Sequence, residues 1–285
     1  MTDVPPLSDE LRRQIDCLAD DLDEFRTRRP RAALPDQLES RRAALLSHLN
    51  VQAPDHMLTC IGDSNIMFFA GAERLRFIRY RRSAILKPHW INRGLDLLPC
   101  FRVFHVGPST AWKASDLNSS TRAWEKIEIL LKKDIPLGSR VLLSFGEIDC
   151  RIHMVRAIQG GKSLEEVTEA TATKFMRLPL HLLERGYRPI IWAPPQIIPK
   201  DENLTSPTFP FLGPWELRRD ITYAYVDHLR TFGSRAGIPV VCLAGQYHDP
   251  KKKAHKSFFH DGTHLSQRLM PLAISHLANA AAFSA

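Results

Sequence analysis

The sequence predicts a three-layer α/β domain, in which a parallel sheet of five strands lies between two layers of helices. Five short runs are apolar and rich in β-branched residues, as strands buried on both faces are. Each run is followed by turn residues and then by a longer stretch with helical spacing, the alternation that a parallel sheet requires. The 285 residues, 44% of them hydrophobic, are enough to fill such a core.

The predicted strands and helices alternate along the chain. We place the strands at Met57–Ile61, Phe101–Val106, Val141–Phe145, Ile190–Ala193 and Val240–Leu243. We place the helices at Asn65–Arg81, Thr121–Lys133, Ser163–Arg185, Pro214–Arg235 and Leu265–Ala282. Ser163 and Glu166 have the spacing of a capping box, which fixes the start of the third helix. The proline-rich stretch Pro194–Pro214 is predicted to be a loop leaving the fourth strand, where active-site loops usually lie.

The N-terminal region has a different pattern from the rest of the chain. From Leu7 to Asn50 the composition is that of two charged helices, broken near Arg29-Pro30. Apolar residues recur there at helical spacing, at Leu11, Ile15, Leu18, Leu22 and Phe25. We therefore divide the chain into a helical extension, residues 1–53, and an α/β domain, residues 54–285. The extension is expected to pack on the domain or on a partner.

The composition favours a cytoplasmic protein. No stretch approaches the ~20 consecutive apolar residues that a membrane span needs, and the charged first thirty residues contain no apolar signal segment. The five cysteines are odd in number and widely scattered, which fits a reducing compartment.

The net charge of +8 favours an anionic partner. The excess is concentrated in Arg74–Arg82 and Lys251–Lys256. A solvated basic face is the simpler alternative, because such runs more often serve solubility. Nucleic acid is disfavoured as the partner, since no recognised motif interleaves these residues with base-stacking aromatics.

The first predicted strand delivers a serine to the edge of the sheet where ligands bind. It is followed by Gly62-Asp63-Ser64-Asn65. In such sheets ligands bind outside the carboxyl ends of the strands, and backbone N–H groups point out of a helix start. Ser64 is therefore a candidate nucleophile. The alternative is a glycine turn followed by a helix cap.

The C-terminal region offers a base for that serine. His260-Asp261-Gly262-Thr263-His264 follows the last predicted strand. The spacing of Asp261 and His264 lets a single turn bring the carboxylate to one imidazole nitrogen and leave the other facing the serine. Alone, this pattern also fits a helix cap beside an unrelated histidine.

Taken together, these segments resemble the blocks of the SGNH (GDSL-type) hydrolases, from Met57 to the C-terminus. The blocks are Gly-Asp-Ser after the first strand, a glycine after the second, Gly-x-x-Asp after the third and Asp-x-x-His before the last helix. The resemblance implies a flavodoxin-like α/β/α fold, and ester hydrolysis or acyl transfer through an acyl-enzyme without metal or cofactor. It also implies oxyanion donors from Ser64 and Gly107, although Gly107 equally fits a simple turn before a proline.

The third block departs from the family pattern. It reads Gly146-Glu147-Ile148-Asp149-Cys150-Arg151, with Ile148 where the family commonly has an asparagine donor. Arg151 is a candidate to replace that donor or to grip a substrate, with Glu147 and Asp149 orienting it. The alternative is a structural ion-pair network among these three residues. The string resembles a subgroup linked to bacterial surface-polysaccharide assembly, which suggests a glycan substrate.

Further candidate substrate contacts are Asn65 and the tryptophans that could stack on sugar rings, of which Trp192 beside Pro194-Pro195 is the best placed. Cys150 and His153 form a single pair with metal-ligand spacing, so we expect no structural zinc. Three hypotheses result. They are an esterase that removes an O-acyl group, acetyl foremost, from a carbohydrate or small ester, an O-acyltransferase to a glycan, and a non-catalytic glycan-binding module.

Overall fold

The structure is a computed structural model that describes residues 8–29, 32–48, 57–73, 75–82, 90–195, 209–246 and 258–280. Within these ranges, seven strands form one sheet. They are β1 (Leu58–Gly62), β2 (Phe77–Arg82), β3 (Trp90–Gly94), β4 (Phe101–His105), β5 (Arg140–Ser144), β6 (Arg188–Trp192) and β7 (Val240–Val241). Their order across the sheet is β2-β3-β4-β1-β5-β6-β7.

The prediction of five parallel strands is confirmed. Strands β4, β1, β5, β6 and β7 are neighbours in that order, and each adjacent pair is parallel. The first of these strands along the chain therefore lies between the second and the third, as in flavodoxin-like sheets. This order creates a topological switch point beside β1, and ligands bind at such points outside the carboxyl ends of the strands.

Helices cover both faces of the sheet, so the three-layer prediction is also confirmed. The helices are α1 (Asp9–Arg28), α2 (Asp36–His48), α3 (Ala123–Lys133), α4 (Met154–Gln159), α5 (Leu164–Glu184), α6 (Trp215–Ala236) and α7 (Met270–Asn279). One hydrophobic cluster joins the sheet to α1, α2 and α7, and a second joins its other face to α3, α4, α5 and α6. Neighbouring residues of β5 illustrate this, because Leu142 lies in the first cluster and Leu143 in the second.

The predicted helix Asn65–Arg81 is wrong. A 3-10 helix covers Ser64–Ala70, and the chain then enters β2. Ile78 and Tyr80 alternate into the core, and the intervening residues of β2 are more exposed. Arg79 and Arg82 both stack on the Trp90 ring of β3, with their Cζ atoms 5.3 and 5.1 Å from its centroid, and the pairing of the two strands shifts register between Arg79 and Arg81.

The β2–β3 hairpin extends the sheet beyond the five predicted strands. It is antiparallel, and β3 is antiparallel to β4. Of the predicted basic regions, Arg74–Arg82 therefore lies mainly on an edge strand, although Arg74 itself is outside the described residues. Lys251–Lys256 lies outside them entirely.

Two of the helix starts show how local sequence sets the boundaries. The Ser163 hydroxyl accepts a hydrogen bond of 3.1 Å from the Glu166 backbone N–H, which confirms the predicted cap of α5. The predicted helix Leu265–Ala282 begins later than expected. A 3-10 helix, Gln267–Leu269, precedes α7, whose first turn contains Pro271.

The two predicted N-terminal helices are confirmed, and they contribute to the core. Ile15, Leu18 and Leu22 of α1 are buried in the same cluster as Phe69 of the 3-10 helix after β1. The boundary between residues 53 and 54 stays a prediction. Among the described helices, none combines the length and the apolar character that crossing a membrane requires.

Candidate active site

Ser64 lies directly beyond the carboxyl end of β1, at the switch point of the sheet. Asp63 caps the 3-10 helix that begins at Ser64, and its Oδ1 accepts a 2.9 Å hydrogen bond from the Asn65 backbone N–H. Gly62 is required just before this turn, because a Cβ there would collide with the carbonyl oxygen of Ser144 on β5. The close approach of β1 and β5 thus fixes where the chain turns and where the Ser64 hydroxyl emerges.

A hydrogen-bonded chain joins Ser64 to the C-terminal segment. His264 Nε2 lies 2.8 Å from Ser64 Oγ, and His264 Nδ1 lies 2.6 Å from Asp261 Oδ2. A neutral imidazole that carries its proton on Nδ1 donates to the Asp261 carboxylate and accepts from the serine hydroxyl. The structure therefore brings together the three residues that the sequence predicts as nucleophile, base and orienting carboxylate.

The Asp261 carboxylate is held by a tight turn. Its Oδ1 accepts hydrogen bonds of 2.9 Å from the backbone N–H groups of Thr263 and His264. Burial alone would raise the pKa of this carboxyl, but the His264 ring and these N–H groups outweigh it and hold the pKa well below its ordinary value. Asp261 is therefore ionised near neutral pH and favours the proton on His264 Nδ1.

His260 adds a second imidazole to this group. Its ring stacks on the His264 ring, with centroids 5.5 Å apart and an interplanar angle of 17°. Donor atoms of His260, Asp261 and His264 lie within 4.8 Å of one another, close enough to hold a metal ion. Both ring nitrogens of His264 already take part in the hydrogen-bonded chain, so a metal there would compete with it.

Gly107 lies just beyond the end of β4, at the same level as Ser64 beyond the end of the neighbouring strand β1. Gly62 pairs in register with His105, and both Ser64 and Gly107 lie two residues further along. Gly107 has a φ of +105°, a conformation that L side chains rarely adopt. Among the described residues, the backbone N–H groups of Ser64 and Gly107 have no hydrogen-bond partner. Two unpaired donors are thus present at one edge of the sheet.

His105 and Lys126 are two polar residues of this region that the sequence interpretation missed. His105 Nδ1 lies 3.1 Å from Asn92 Nδ2, and burial, followed by the charges of Lys126 and His264, lowers its pKa to about 4. Lys126 Nζ donates a 2.6 Å hydrogen bond to the carbonyl oxygen of Val106. A sequence signal existed for Lys126, because a lysine lies within the apolar stripe that α3 turns to the core.

The third block forms a buried ion pair. The Arg151 guanidinium binds the Glu147 carboxylate at 2.5 and 3.1 Å, and it also donates to the carbonyl oxygens of Phe209 and Pro210. Its remaining face stacks on the Phe211 ring, 4.7 Å from the centroid. Each nitrogen of the guanidinium is occupied inside the protein, which favours the structural interpretation of Arg151 over a contact with substrate.

Asp149 binds the loop after β4 rather than Arg151. Its carboxylate accepts hydrogen bonds of 2.6 and 3.3 Å from the backbone N–H groups of Ala111 and Trp112. Burial raises the pKa of Asp149 to about 6, although these N–H groups oppose the shift. The expectation that Asp149 orients Arg151 is therefore wrong, and the residue instead ties the third block to the loop that carries Gly107. Ile148 is buried and supplies no polar group.

Asn65 and Trp192 are both buried. Trp192 is only 1% exposed, and its ring packs 6.0 Å from that of Phe68 and 4.9 Å from that of Phe69. Its predicted role as a stacking platform is wrong, because its position on β6 turns the ring into the core. Asn65 is 4% exposed, and its side-chain amide has no hydrogen-bond partner among the described residues.

A cavity of about 470 Å³ lies beside the loop that carries Gly107. Its wall includes Pro108, the residue after Gly107, and Trp112, whose side chain is 39% exposed. The hydroxyl groups of Ser119, Ser120 and Thr121 also line it. Trp112, and not Trp192, is thus the more exposed aromatic side chain, although Lys174 Nζ lies 4.3 Å from the centroid of its ring and Ser64, Asp261 and His264 do not line this cavity.

Known proteins resemble this chain only distantly. No protein-family model matches it. No curated protein matches it in sequence. Among solved structures, a carbohydrate acetylesterase from Sinorhizobium meliloti is similar with 15% identity and a TM-score of 0.46, over 80% of this chain and 99% of that one. An acetylxylan esterase from Geobacillus stearothermophilus, solved as a catalytic mutant, is similar with 15% identity and a TM-score of 0.45, over 80% of this chain and 95% of that one. An aryl esterase from M. smegmatis is similar with 12% identity and a TM-score of 0.45, over 80% of this chain and 99% of that one. At these values the likeness carries no conclusion about the activity of this chain.

Proposed function

We propose that this protein is a serine esterase of the SGNH type that removes an O-acetyl group from a carbohydrate or a related small ester. The observation that carries the proposal is the hydrogen-bonded chain from Ser64 through His264 to Asp261. A serine hydroxyl becomes a useful nucleophile when a base accepts its proton and a third group orients that base. The motif order in the sequence supports the same reaction class.

In the proposed reaction, Ser64 Oγ attacks the carbonyl carbon of the ester while His264 Nε2 takes the hydroxyl proton. The carbonyl π electrons move to its oxygen, and the resulting oxyanion is held by the N–H groups of Ser64 and Gly107. When the tetrahedral intermediate collapses, the bond to the alcohol breaks and the imidazolium gives its proton to the departing alcohol. The product of this half-reaction is an acetyl ester of Ser64.

Water completes the cycle by the same steps. His264 accepts a proton from the water molecule as its oxygen attacks the acetyl-enzyme, and it returns that proton to Ser64 Oγ when acetic acid leaves, which then ionises in the solvent. Asp261 remains ionised throughout and stabilises the imidazolium. This assignment agrees with the low pKa of Asp261.

The cavity beside Gly107 supports a carbohydrate as the alcohol portion of the ester. It combines one exposed aromatic ring, Trp112, with several hydroxyl-bearing side chains, and sugars bind through such stacking and hydrogen bonds. The same cavity favours a second candidate function, O-acyl transfer to a glycan. An acceptor hydroxyl held close to the acyl-enzyme competes with water because of its high effective concentration.

The proposed function is tested by removing the nucleophile. In Ser64→Ala we expect hydrolysis of para-nitrophenyl acetate to fall by about 10⁶-fold, to background. We also expect a fluorophosphonate probe to label the wild type and not the variant. Ser234→Ala, on the exposed surface of α6, is the matched control and keeps both signals. Undiminished turnover in Ser64→Ala contradicts the proposal, and absence of labelling in the wild type favours the non-catalytic module.

Hydrolysis and transfer are separated by the fate of the acetyl group. The wild type is incubated with an acetyl donor and candidate glycans, and the glycan mass is followed. Loss of 42 mass units, roughly one acetyl group, from an acetylated glycan supports the esterase. Ser64-dependent gain of the same mass by an unmodified glycan supports the transferase.

A further inference from the structure

Lys126 is a buried lysine that the proposed mechanism does not yet use. It lies on the core side of α3, and only 4% of the residue is exposed. Burying an ammonium group is costly unless it is paired. Among the described residues, no carboxylate forms an ion pair with Lys126, and the adjacent Glu125 is paired with Arg122 instead. Within the described ranges, the ammonium forms one hydrogen bond, a bond of 2.6 Å to the carbonyl oxygen of Val106.

The bonded carbonyl belongs to the peptide unit that carries the Gly107 N–H. In a trans peptide the C=O of one residue and the N–H of the next point in opposite directions. With the Val106 carbonyl held by Lys126, the Gly107 N–H points away from the ammonium, and it has no hydrogen-bond partner in the part of the chain that the structure describes. Lys126 therefore fixes the orientation of this donor.

The same contact strengthens the donor. Hydrogen bonds polarise one another through a shared peptide group, and a bond from an ammonium is stronger than a neutral one. The positive charge of the ammonium beside the carbonyl oxygen draws electron density from the peptide nitrogen. The N–H of that nitrogen becomes a better hydrogen-bond donor. This matters in this chain because Ile148 stands where the family commonly has an asparagine donor.

We propose that Lys126 is a positioning residue of the oxyanion site, which holds and polarises the Val106–Gly107 peptide so that the Gly107 N–H stabilises the oxyanion more strongly. The inference rests on the proposed esterase function. Lys126 acts through the peptide, so its effect belongs to the transition state and to kcat more than to KM.

The protonation of Lys126 gives the proposal a pH signature. Burial lowers the pKa of Lys126 to about 8, with Glu125 opposing and Arg122 adding to the shift. Opposite α3, His105 of β4 also faces this ammonium, but its ring is neutral in this pH range. As the pH rises through about 8 the ammonium loses its charge, so the polarisation weakens and kcat falls.

The test compares wild type with Lys126→Met, which keeps an unbranched, flexible side chain, shorter by a single atom, and removes its charge. We expect kcat for para-nitrophenyl acetate, after subtraction of the Ser64→Ala rate, to fall about 10- to 100-fold with KM nearly unchanged. This is less than the ~10²–10³ that deletion of an oxyanion donor costs. The fall in kcat above pH about 8 is expected in the wild type and absent from the variant. Lys133→Met, on the exposed side of α3, is the matched control and keeps the wild-type profile.

Each outcome decides between the proposals. If the wild type has no Ser64-dependent turnover, the esterase function fails, and this inference fails with it. If the wild type is active and Lys126→Met keeps its kcat and its alkaline fall, only the role of Lys126 is overturned. If Lys126→Met does not fold, the role of Lys126 is decided by comparing the dependence of kcat on pH in Lys126→Arg with that in the wild type. Retained activity in Lys126→Arg without an alkaline fall supports the inference, and an unchanged fall near pH 8 contradicts it.

Discussion

At the scale of single residues, the Asp261 carboxylate determines which nitrogen of His264 carries the proton. Its Oδ2 lies 2.6 Å from Nδ1, and its Oδ1 is held by two backbone N–H groups. A proton on Nδ1 leaves the Nε2 lone pair directed at the Ser64 hydroxyl. In the proposed reaction, the carboxylate thus selects one tautomer of His264 and stabilises the imidazolium.

Asp261→Asn tests this role. The asparagine keeps the shape of the turn, but its NH₂ group favours the wrong tautomer of His264 because it donates where the carboxylate accepted. We expect kcat to fall by about 10⁴-fold with little change in the melting temperature. A steady-state assay and a thermal melt check the prediction. A loss below about tenfold would mean that Asp261 mainly shapes the turn.

The sequence predicted that Ser64 lies at the carboxyl edge of the sheet because its position depends on chain order and register. Ser64 follows β1 directly, and parallel strands bring their carboxyl ends to one edge whatever their side chains do. The contacts of Trp192, Trp112 and Lys126 depend on which way a side chain points. That direction is set by tertiary packing, which a single sequence does not display. The sequence therefore wrongly indicates a stacking role for Trp192, and it does not reveal the contact between Lys126 and the Val106 carbonyl.

At the scale of elements, the turn after β5 shows how the third block is built. The chain leaves β5 and forms a π-helical turn, Asp149–His153, which continues directly into α4. Such turns are often found at functional sites. Here the turn carries both the Arg151 ion pair with Glu147 and the Asp149 bonds to the loop after β4. The block therefore shapes the loop of Gly107, and its residues Asp149 and His153 also line the cavity beside that loop.

Arg151→Met tests whether the ion pair is structural. The substitution leaves the Glu147 carboxylate buried without its partner, so we expect the free energy of unfolding to fall by about 3–5 kcal/mol. The double variant Glu147→Leu with Arg151→Met removes both charges and is expected to regain most of that loss. Urea unfolding of the folded variants measures both. A stable Arg151→Met with a raised KM would instead assign the residue to substrate binding.

The elements that the sequence predicted are those with strong periodicity. The five parallel strands are largely apolar because helices cover both faces of the sheet, and α5 has a clear cap at Ser163. The β2–β3 hairpin escaped prediction because only two buried residues of β2, Ile78 and Tyr80, alternate with its arginines, which is too short a pattern to identify a strand. The apolar 3-10 helix before it also imitates the start of an amphipathic helix.

At the scale of the whole molecule, the N-terminal helices form part of the covering of the sheet. The buried side of α1 joins the cluster that contains the helix after β1 and the C-terminal α7. Loss of this contact therefore affects the layer on which both Ser64 and His264 depend. The division at residue 53 separates regions of different composition that share one core, and composition alone does not reveal such sharing.

Leu22→Ala tests this coupling. Leu22 is fully buried on α1, so the cavity is expected to cost about 2–5 kcal/mol of the free energy of unfolding. Unfolding should remain a single transition that carries the esterase activity with it. Leu117→Ala, at a position 73% exposed, is the control and should change stability by less than about 0.5 kcal/mol. A second, separate transition would instead indicate that the N-terminal helices unfold independently.

The hydrogen bond between Ser64 and His264 joins residues 200 positions apart. During synthesis the serine leaves the ribosome long before the histidine that activates it. If the proposed roles hold, a nascent chain, or any fragment cut before His264, carries the nucleophile without its base. Under the proposed mechanism, activity arises only once the segment that carries His264 has docked beside Ser64, so activity itself reports that this long-range contact has formed.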